Sequence, residues 1–445
     1  MNFVIIGGDA AGMSAASRAK RKMPELDIIV LEKTGDVSYS ACGMPYNIAD
    51  PDSSIDDLVV RHADAFRDKQ GIDLRTGHEV KTINRSTKTL YGKTKDGEFQ
   101  IPYDKLLIAT GASPVIPEIP GIDSPGVMML KSLEDGRRIK EFINTSRTEK
   151  VVIIGMGYIA LEMCEALTAR NIRVDMVKPG PVFLPWMAPE LSGMVKNEVE
   201  HNNVKMHTGL EIKKIRRHQD TLTVECTETT LECQMVIAAV GVNPNSKLAV
   251  EAGLDLGPSG AISVDRTLKT SDENIYAAGD CADAHHVVTE QKAYVPLALR
   301  ANRAGWAVAD NVTGNRTELD GIAGTAVFKV FDLQVARTGL TGKEAAKYGF
   351  DPVENVITSS SRAHSHPGVS KIAVHIVGDL KSGKLLGMQM VGKEGAAHRI
   401  NAAAVALHQK MTVHAFSQCD MAYAPPFSPV WDPMLTAANQ LLKKM

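Results

Sequence analysis

One pattern, written twice, constrains this chain more than any other feature. The first copy is Phe3-Val4-Ile5-Ile6-Gly7-Gly8-Asp9-Ala10-Ala11-Gly12, then a helix-like stretch, then Asp27-Ile28-Ile29-Val30-Leu31-Glu32. The second is Val151-Val152-Ile153-Ile154-Gly155-Met156-Gly157-Tyr158-Ile159-Ala160, a helix-like stretch to about Ala169, and Arg173-Val174-Asp175-Met176-Val177-Lys178. Each is an apolar run, a Gly-rich turn, a helix and a second apolar run, which is the βαβ pattern of a parallel sheet. Later apolar strands close each copy in Gly: Leu106-Leu107-Ile108-Ala109-Thr110-Gly111 and Met235-Val236-Ile237-Ala238-Ala239-Val240-Gly241. Asn274-Ile275-Tyr276-Ala277-Ala278-Gly279-Asp280 then returns to the same style. The sequence therefore predicts an α/β protein with two Rossmann-like dinucleotide-binding domains. The first, residues 1–112 and 245–324, is interrupted by the second, residues 113–244. From about Gly324 the texture changes. Val327-Phe328-Lys329-Val330 and Lys371 to Val377 read as strands, and roughly His398 to Gln409 as a helix. A separate α+β domain is expected over 325–445.

Composition narrows the function classes. At 445 residues the chain is too long for one ordinary core. A net charge of −2 offers no basic field for nucleic acid or anionic membrane, and aromatics at 5% argue against stacked-base recognition. No apolar run reaches transmembrane length. The N-terminus enters a strand directly, with no basic or cleavable apolar segment, so a cytoplasmic protein is expected. Six cysteines without a CxxC suit a reducing compartment, and no ligand spacing suggests a metal site.

In the first turn Gly7 makes the bend and Gly12 lets helix and strand approach. The exposed N–H groups and the helix dipole then receive a pyrophosphate. Asp9 replaces the usual second glycine. Glu32 is placed to accept from an adenosine ribose; an ordinary strand-turn-helix with a solvated Glu is the plainer alternative. The second turn is a closer match to the fingerprint, but Lys178 stands where a ribose-binding carboxylate is usual. It would attract a 2′-phosphate, which points to NADPH or to tolerance of NADH as well; a surface lysine without contact is the other reading. Tyr158 is a packing aromatic or a cover for a flavin ring. Asp280, at the carboxyl edge of a sheet, suits a ribityl chain or caps a helix.

Cys42 carries the chemistry. It lies in Ser38-Tyr39-Ser40-Ala41-Cys42-Gly43-Met44-Pro45-Tyr46, beyond Glu32, so a flavin on the first unit has this sulfur close to its ring. The next cysteine is Cys164. A flavin-side thiol without a neighbouring thiol has to be relieved by a substrate thiol, a peroxide or water. A helix starting after Cys42 is expected to lower its pKa. Gly43 allows close approach, and Pro45 suits a first helical turn.

On Gly7–Gly12, Ser38–Tyr46, Ala109–Gly111, Gly155–Ala160, Thr270–Asp280 and the tail Ala422-Tyr423-Ala424-Pro425-Pro426-Phe427-Ser428-Pro429-Val430-Trp431-Asp432-Pro433, the chain resembles the flavoprotein pyridine nucleotide-disulfide oxidoreductases, over essentially its full length. Within them it looks like the single-cysteine branch, and the tail is similar to that of coenzyme A disulfide and persulfide reductases. The resemblance implies FAD at Gly7, Gly8, Ala10, Ala11, Gly12, Glu32, Lys33, Val80, Ala109, Thr110, Gly111, Gly279, Asp280 and Ala298. It implies NADPH or NADH at Gly155, Gly157, Tyr158, Ile159, Glu162 and Lys178. It also implies a C-terminal dimerisation domain and a homodimer in which Tyr423 reaches the partner subunit's Cys42.

Coenzyme A carries phosphates, and the resemblance places its contacts at Arg18, Arg21, Ser38, Asn302 and Arg303, as a cluster converging on Cys42. Two positions depart from the pattern. Ala41 replaces a frequent Asn, and Ala363-His364-Ser365-His366-Pro367-Gly368 stands where a tyrosine is usual. His366 or His364 is then a substitute proton donor or a surface histidine. The implied reaction is NAD(P)H-driven reduction of a CoA-type disulfide, persulfide or polysulfide through a mixed disulfide on Cys42. The alternatives are an NAD(P)H oxidase or peroxidase cycling Cys42 through sulfenic acid, or a slow-turnover flavin redox sensor or electron donor.

Overall fold

The computed structural model describes all 445 residues. Its first strand, Asn2–Ile6, is buried on both faces and pairs in parallel with Asp27–Leu31 on one side and Lys105–Ile108 on the other. Helix α1, Ala10–Lys22, crosses between the first two strands. A 3₁₀ turn, Ala41–Gly43, carries Cys42 and leads into the short helix α2, Met44–Ala49. Asp73–Arg75 and, far later in the chain, Ile275–Ala277 form the two edges of the five-stranded sheet.

The second copy builds the same object. Lys150–Ile154 lies at the centre, flanked in parallel by Arg173–Lys178 and Met235–Ala238, with Lys205–Thr208 and Val127–Met128 at the edges. Helix α3, Leu133–Thr145, precedes this central strand, and α4, Tyr158–Ala169, follows it. Chain crossings between the two units run antiparallel as Ala112–Pro114 and Val242–Pro244. Thr110 and Asn245 lock that crossing: the Thr110 hydroxyl donates to Asn245 O at 2.6 Å and Asn245 Nδ2 donates to Thr110 O at 2.8 Å.

The chain then returns to the first sheet through Ile275–Ala277 and helix α5, Ala298–Val312. Ala277, Ala304 and Val308 share one core with Phe3, Val4 and Ile5, so residues distant in sequence complete the first unit. The last part is a five-stranded antiparallel sheet in the order Ala326–Val330, Leu333–Gly339, Leu385–Gly392, Lys371–Asp379, Pro352–Ser360. Helices α6, Ala396–His408, and α7, Pro433–Leu442, pack on it through Ile400, Ala403, Ala437 and Leu441. No helix is long and apolar enough to cross a membrane.

Helices α1 and α5 lie against each other with almost no clearance. A Cβ added to Gly305 would sit 2.3 Å from Ala11 O. Arg18 fixes the pair further, donating to both carboxylate oxygens of Asp310 at 2.7 and 2.8 Å. Overpacking of this kind costs ~2 kcal/mol or more. Gly305→Ala is therefore expected to lower Tm by about 5 °C in differential scanning calorimetry; an unchanged Tm would show that the two helices have room to part.

Candidate active site

Both Gly-rich turns open into one cleft of about 2410 Å³, walled by both nucleotide-type units and by the C-terminal sheet. The two turns obey the same constraint. Gly7 has φ +112° and Gly155 has φ +113°, a region that side chains disfavour. A Cβ on either would lie 2.2 Å from a carbonyl of the neighbouring strand, Ala109 O or Ala239 O. At Gly12 an added Cβ would lie 1.9 Å from Gly7 O, so only glycine lets the helix close on the turn at that point. Gly157 faces open space, leaving the second turn accessible to a ligand.

Neither helix is closed by its own side chains. Asp9 caps α1 and Gly157 caps α4, and neither makes a side-chain cap bond. The first N–H groups of both helices, with their positive dipole ends, thus remain free for an anion at the cleft wall. Glu32 is held rigidly beside the first turn: Gly8 N donates to Oε2 at 2.8 Å, and Thr34 N and Oγ1 donate to Oε1 at 2.8 Å. Asp280 is paired with Lys131 Nζ at 3.0 Å. Asp9 Oδ1 is buried without a hydrogen-bond partner. Two uncapped helix ends, a fixed ribose acceptor and an orphaned polar atom in one cleft fit an FAD on the first unit and a nicotinamide nucleotide on the second. At the second, Lys178 lines the cleft but curls back to donate to Val182 O at 2.8 Å.

Cys42 is the only cysteine on the wall of this cleft, and it is exposed there. The expectation of a depressed thiol pKa is wrong for this structure. Partial desolvation by the cleft walls raises it first, then Glu162; Lys131 lowers it, and Asp280 and Asp9 raise it again. The helix that follows is six residues long, too short a dipole to outweigh three carboxylates facing one lysine. Glu162 also accepts from Tyr46 Oη at 3.0 Å. Asp9 is itself pushed up to about 6, chiefly by burial, while N–H groups of Tyr39 and Ala10 and the charge of Lys131 oppose that shift.

Not every expected ligand residue gathers at Cys42. Asn302 lines the cleft and is held by Ser14 Oγ, which donates to its Oδ1 at 2.6 Å. Lys33, Val80, Ile159, Glu162 and Ala298 line it too. Arg18 is engaged with Asp310 and stacks over Trp306 at 5.0 Å, and Arg21 and Arg303 point to solvent. Ser38 adopts φ +49° and makes backbone bonds to Gly8 and Val60. His366 sits in a turn beside Arg362, away from the cleft, and Tyr423 is 49% exposed and does not line the cleft of its own chain. The cluster of cations converging on Cys42 is therefore not assembled within one chain.

Three residues of this cleft escaped the sequence reading. Lys131 stands just before Ser132, the cap of a Ser-x-x-Asp box that opens α3, a local signal that could have marked it. Phe328 and Trp186 hold Tyr158 at ring distances of 4.7 and 5.3 Å. They come from different parts of the chain, and no local pattern joins them.

Two titrations follow. Glu162→Gln removes the strongest charge opposing the Cys42 thiolate. The midpoint of Cys42 alkylation against pH in cofactor-free protein is expected to fall; an unmoved midpoint would contradict the assigned field. Ionised Asp9 is disfavoured by the fold, so its cost is absent below pH 3.8 and complete above about 6. Asp9→Asn should raise Tm of the cofactor-free protein at pH 8 by the equivalent of ~2–3 kcal/mol and leave it nearly unchanged at pH 3.5.

The comparisons with known proteins agree with this geometry. Residues 1–305 match the family model described as pyridine nucleotide-disulphide oxidoreductase, and residues 325–434 match its dimerisation domain. The chain is 40% identical to the NAD(P)H sulfur oxidoreductase (CoA-dependent) of Pyrococcus abyssi, over 98% of this chain and 97% of that protein. It is 32% identical to coenzyme A disulfide reductase of Staphylococcus aureus, over 96% of each. The solved structure of an NAD-dependent persulfide reductase from A. fulgidus superposes with a TM-score of 0.97 at 36% identity, covering 100% of this chain and 83% of that one. With two uncapped nucleotide turns facing one thiol, and both family models matched in order along the chain, the protein belongs to the FAD- and NAD(P)H-dependent pyridine nucleotide-disulphide oxidoreductases.

Proposed function

We propose that this enzyme uses NAD(P)H to reduce a CoA-type disulfide, persulfide or polysulfide through Cys42. The observation that carries this reading is the solitary thiol on the wall of the cleft shared by both dinucleotide turns. The relatives named for CoA-dependent sulfur, persulfide and CoA disulfide reduction support the substrate class.

The first turn, with Glu32 and Asp280, holds FAD; the second, with Lys178, holds the nicotinamide nucleotide. Bound there, FAD would supply the two-electron chemistry that links NAD(P)H to a disulfide on Cys42. The chain's own steps concern that sulfur. Cys42 loses its proton, and its Sγ attacks one sulfur of the substrate. A Cys42–substrate S–S bond forms as the substrate S–S bond breaks, and the departing thiolate takes up a proton. Two electrons from NAD(P)H and a proton then break the Cys42–substrate S–S bond, which returns the Cys42 thiolate and frees the second product. The sum is NAD(P)H, a proton and RSSR giving NAD(P)⁺ and two RSH; with a persulfide, one product is hydrogen sulfide.

The dimerisation domain makes a homodimer. In our reading the tail of each subunit crosses to the other active site. Phe427, Val430 and Trp431 are 77, 67 and 63% exposed in the single chain, an apolar surface that calls for a cover. That crossing is how Tyr423 donates a proton near the partner subunit's Cys42. Domain boundaries at 112/113, 244/245 and 324/325, a cytoplasmic location, and CoA contacts from Ser38, Asn302 and the nearby arginines belong to the same proposal.

Cys42→Ser is expected to retain FAD and its reduction by NAD(P)H while turnover of CoA disulfide falls at least 100-fold. Retained turnover would refute the role of this sulfur.

A further inference from the structure

The segment that carries Cys42 is encoded with the first unit but is built into the second. Met44, Ile48 and Ile55 are buried in one apolar core with Leu133 and Ile139 of α3 and Ala160, Met163, Cys164 and Leu167 of α4. The polar contacts run the same way. Arg137 of α3 grips Asp36 with two bonds of 2.8 Å and also pairs with Asp56 at 2.6 Å.

Lys140 of α3 is the unusual member. Its side chain is buried, and Asp50, Asp57 and Asp52 act on its charge without forming an ion pair with it. All its partners are neutral oxygens of the Cys42 segment: Asn47 O at 2.9 Å, Asn47 Oδ1 at 3.0 Å, Ser53 Oγ at 3.3 Å, and Ser53 O. A buried ammonium without a counter-ion is costly. Here the four neutral oxygens offset that cost, among them Asn47 O in the last turn of α2, which also accepts from Asp50 N at 3.2 Å and Ser53 Oγ at 3.2 Å, and the carboxylates of Asp50, Asp57 and Asp52 favour the charge from farther away. Arg170, the residue that ends α4, takes the next carbonyl, Ile48 O, at 3.1 Å, and is itself steadied by Asn144 Oδ1 at 2.8 Å. Thus two cations from the nucleotide-binding unit close the C-terminus of the six-residue helix whose leading turn presents the sulfur.

We propose that Lys140 and Arg170 are positioning residues for Cys42: they cap the thiol-bearing helix from the second unit and so fix where the sulfur stands in the cleft. The inference rests on Cys42 being the reacting thiol. Neither residue touches the nucleotide turns, so hydride delivery is untouched while everything that needs an aligned sulfur suffers.

The test separates the two half-reactions of FAD-loaded enzyme by stopped flow, in Lys140→Met and in Arg170→Met. Flavin reduction by NAD(P)H is expected within twofold of the parent. Reoxidation of the reduced enzyme by coenzyme A disulfide is expected to slow at least tenfold, and the long-wavelength thiolate-to-flavin absorbance to weaken. Arg170 is half-buried, so its variant carries the test should Lys140→Met fail to fold. Equal losses in both half-reactions, or no loss above twofold in either, would overturn the proposal. Cys42→Ser, measured alongside, keeps the questions apart: if it is still reoxidised at the parent rate by the disulfide, the assignment of Cys42 fails, whatever the capping variants do.

Discussion

Two helix N-termini that no side chain closes, aimed into the same cleft, are the constraint on which the rest of this structure depends. Each leaves backbone N–H groups and a positive dipole end unanswered. Each is formed because a glycine at φ near +112° brings strand and helix together where a Cβ would strike a carbonyl. The arrangement asks for two anionic ligands side by side. A thiol at their junction can pass electrons between what those ligands carry and a third molecule.

The side chains around that thiol do not by themselves make it acidic. Partial desolvation acts first, and Glu162, Asp280 and Asp9 add to it against Lys131 alone. Together, desolvation and these carboxylates push the thiol pKa up. That shift gives the ligands a role in activation, since whatever they neutralise or displace changes the field. Lys131 is committed to Asp280. The Tyr46–Glu162 contact ties the same field to α4, the helix that begins at the second nucleotide turn.

Much of this was legible in the chain. The duplicated strand-turn-helix text predicted both parallel sheets, and Ile275–Ala277 joins the first sheet as its return motif suggested. Cys42 was legible because its isolation among cysteines is a property of sequence. Its titration was not: Glu162, Asp280 and Lys131 reach it only through folding, and the six-residue length of α2 is set by tertiary packing. The expected arginine cluster shows the reverse error. Arg18 reads as a free cation on a helix face, yet Asp310, distant in sequence, has claimed it. Lys140 had no textual mark at all, since its partners are backbone carbonyls of another unit.

The central claim is that electrons leave through one sulfur to a CoA-type sulfur acceptor. The most direct measurement is stopped-flow reoxidation of the reduced enzyme by coenzyme A disulfide, coenzyme A persulfide, glutathione disulfide and hydrogen peroxide at equal concentration. The account predicts that a coenzyme A species reoxidises it fastest, by at least tenfold over glutathione disulfide and peroxide. Fastest reoxidation by peroxide would contradict it and assign Cys42 to a sulfenic acid cycle instead.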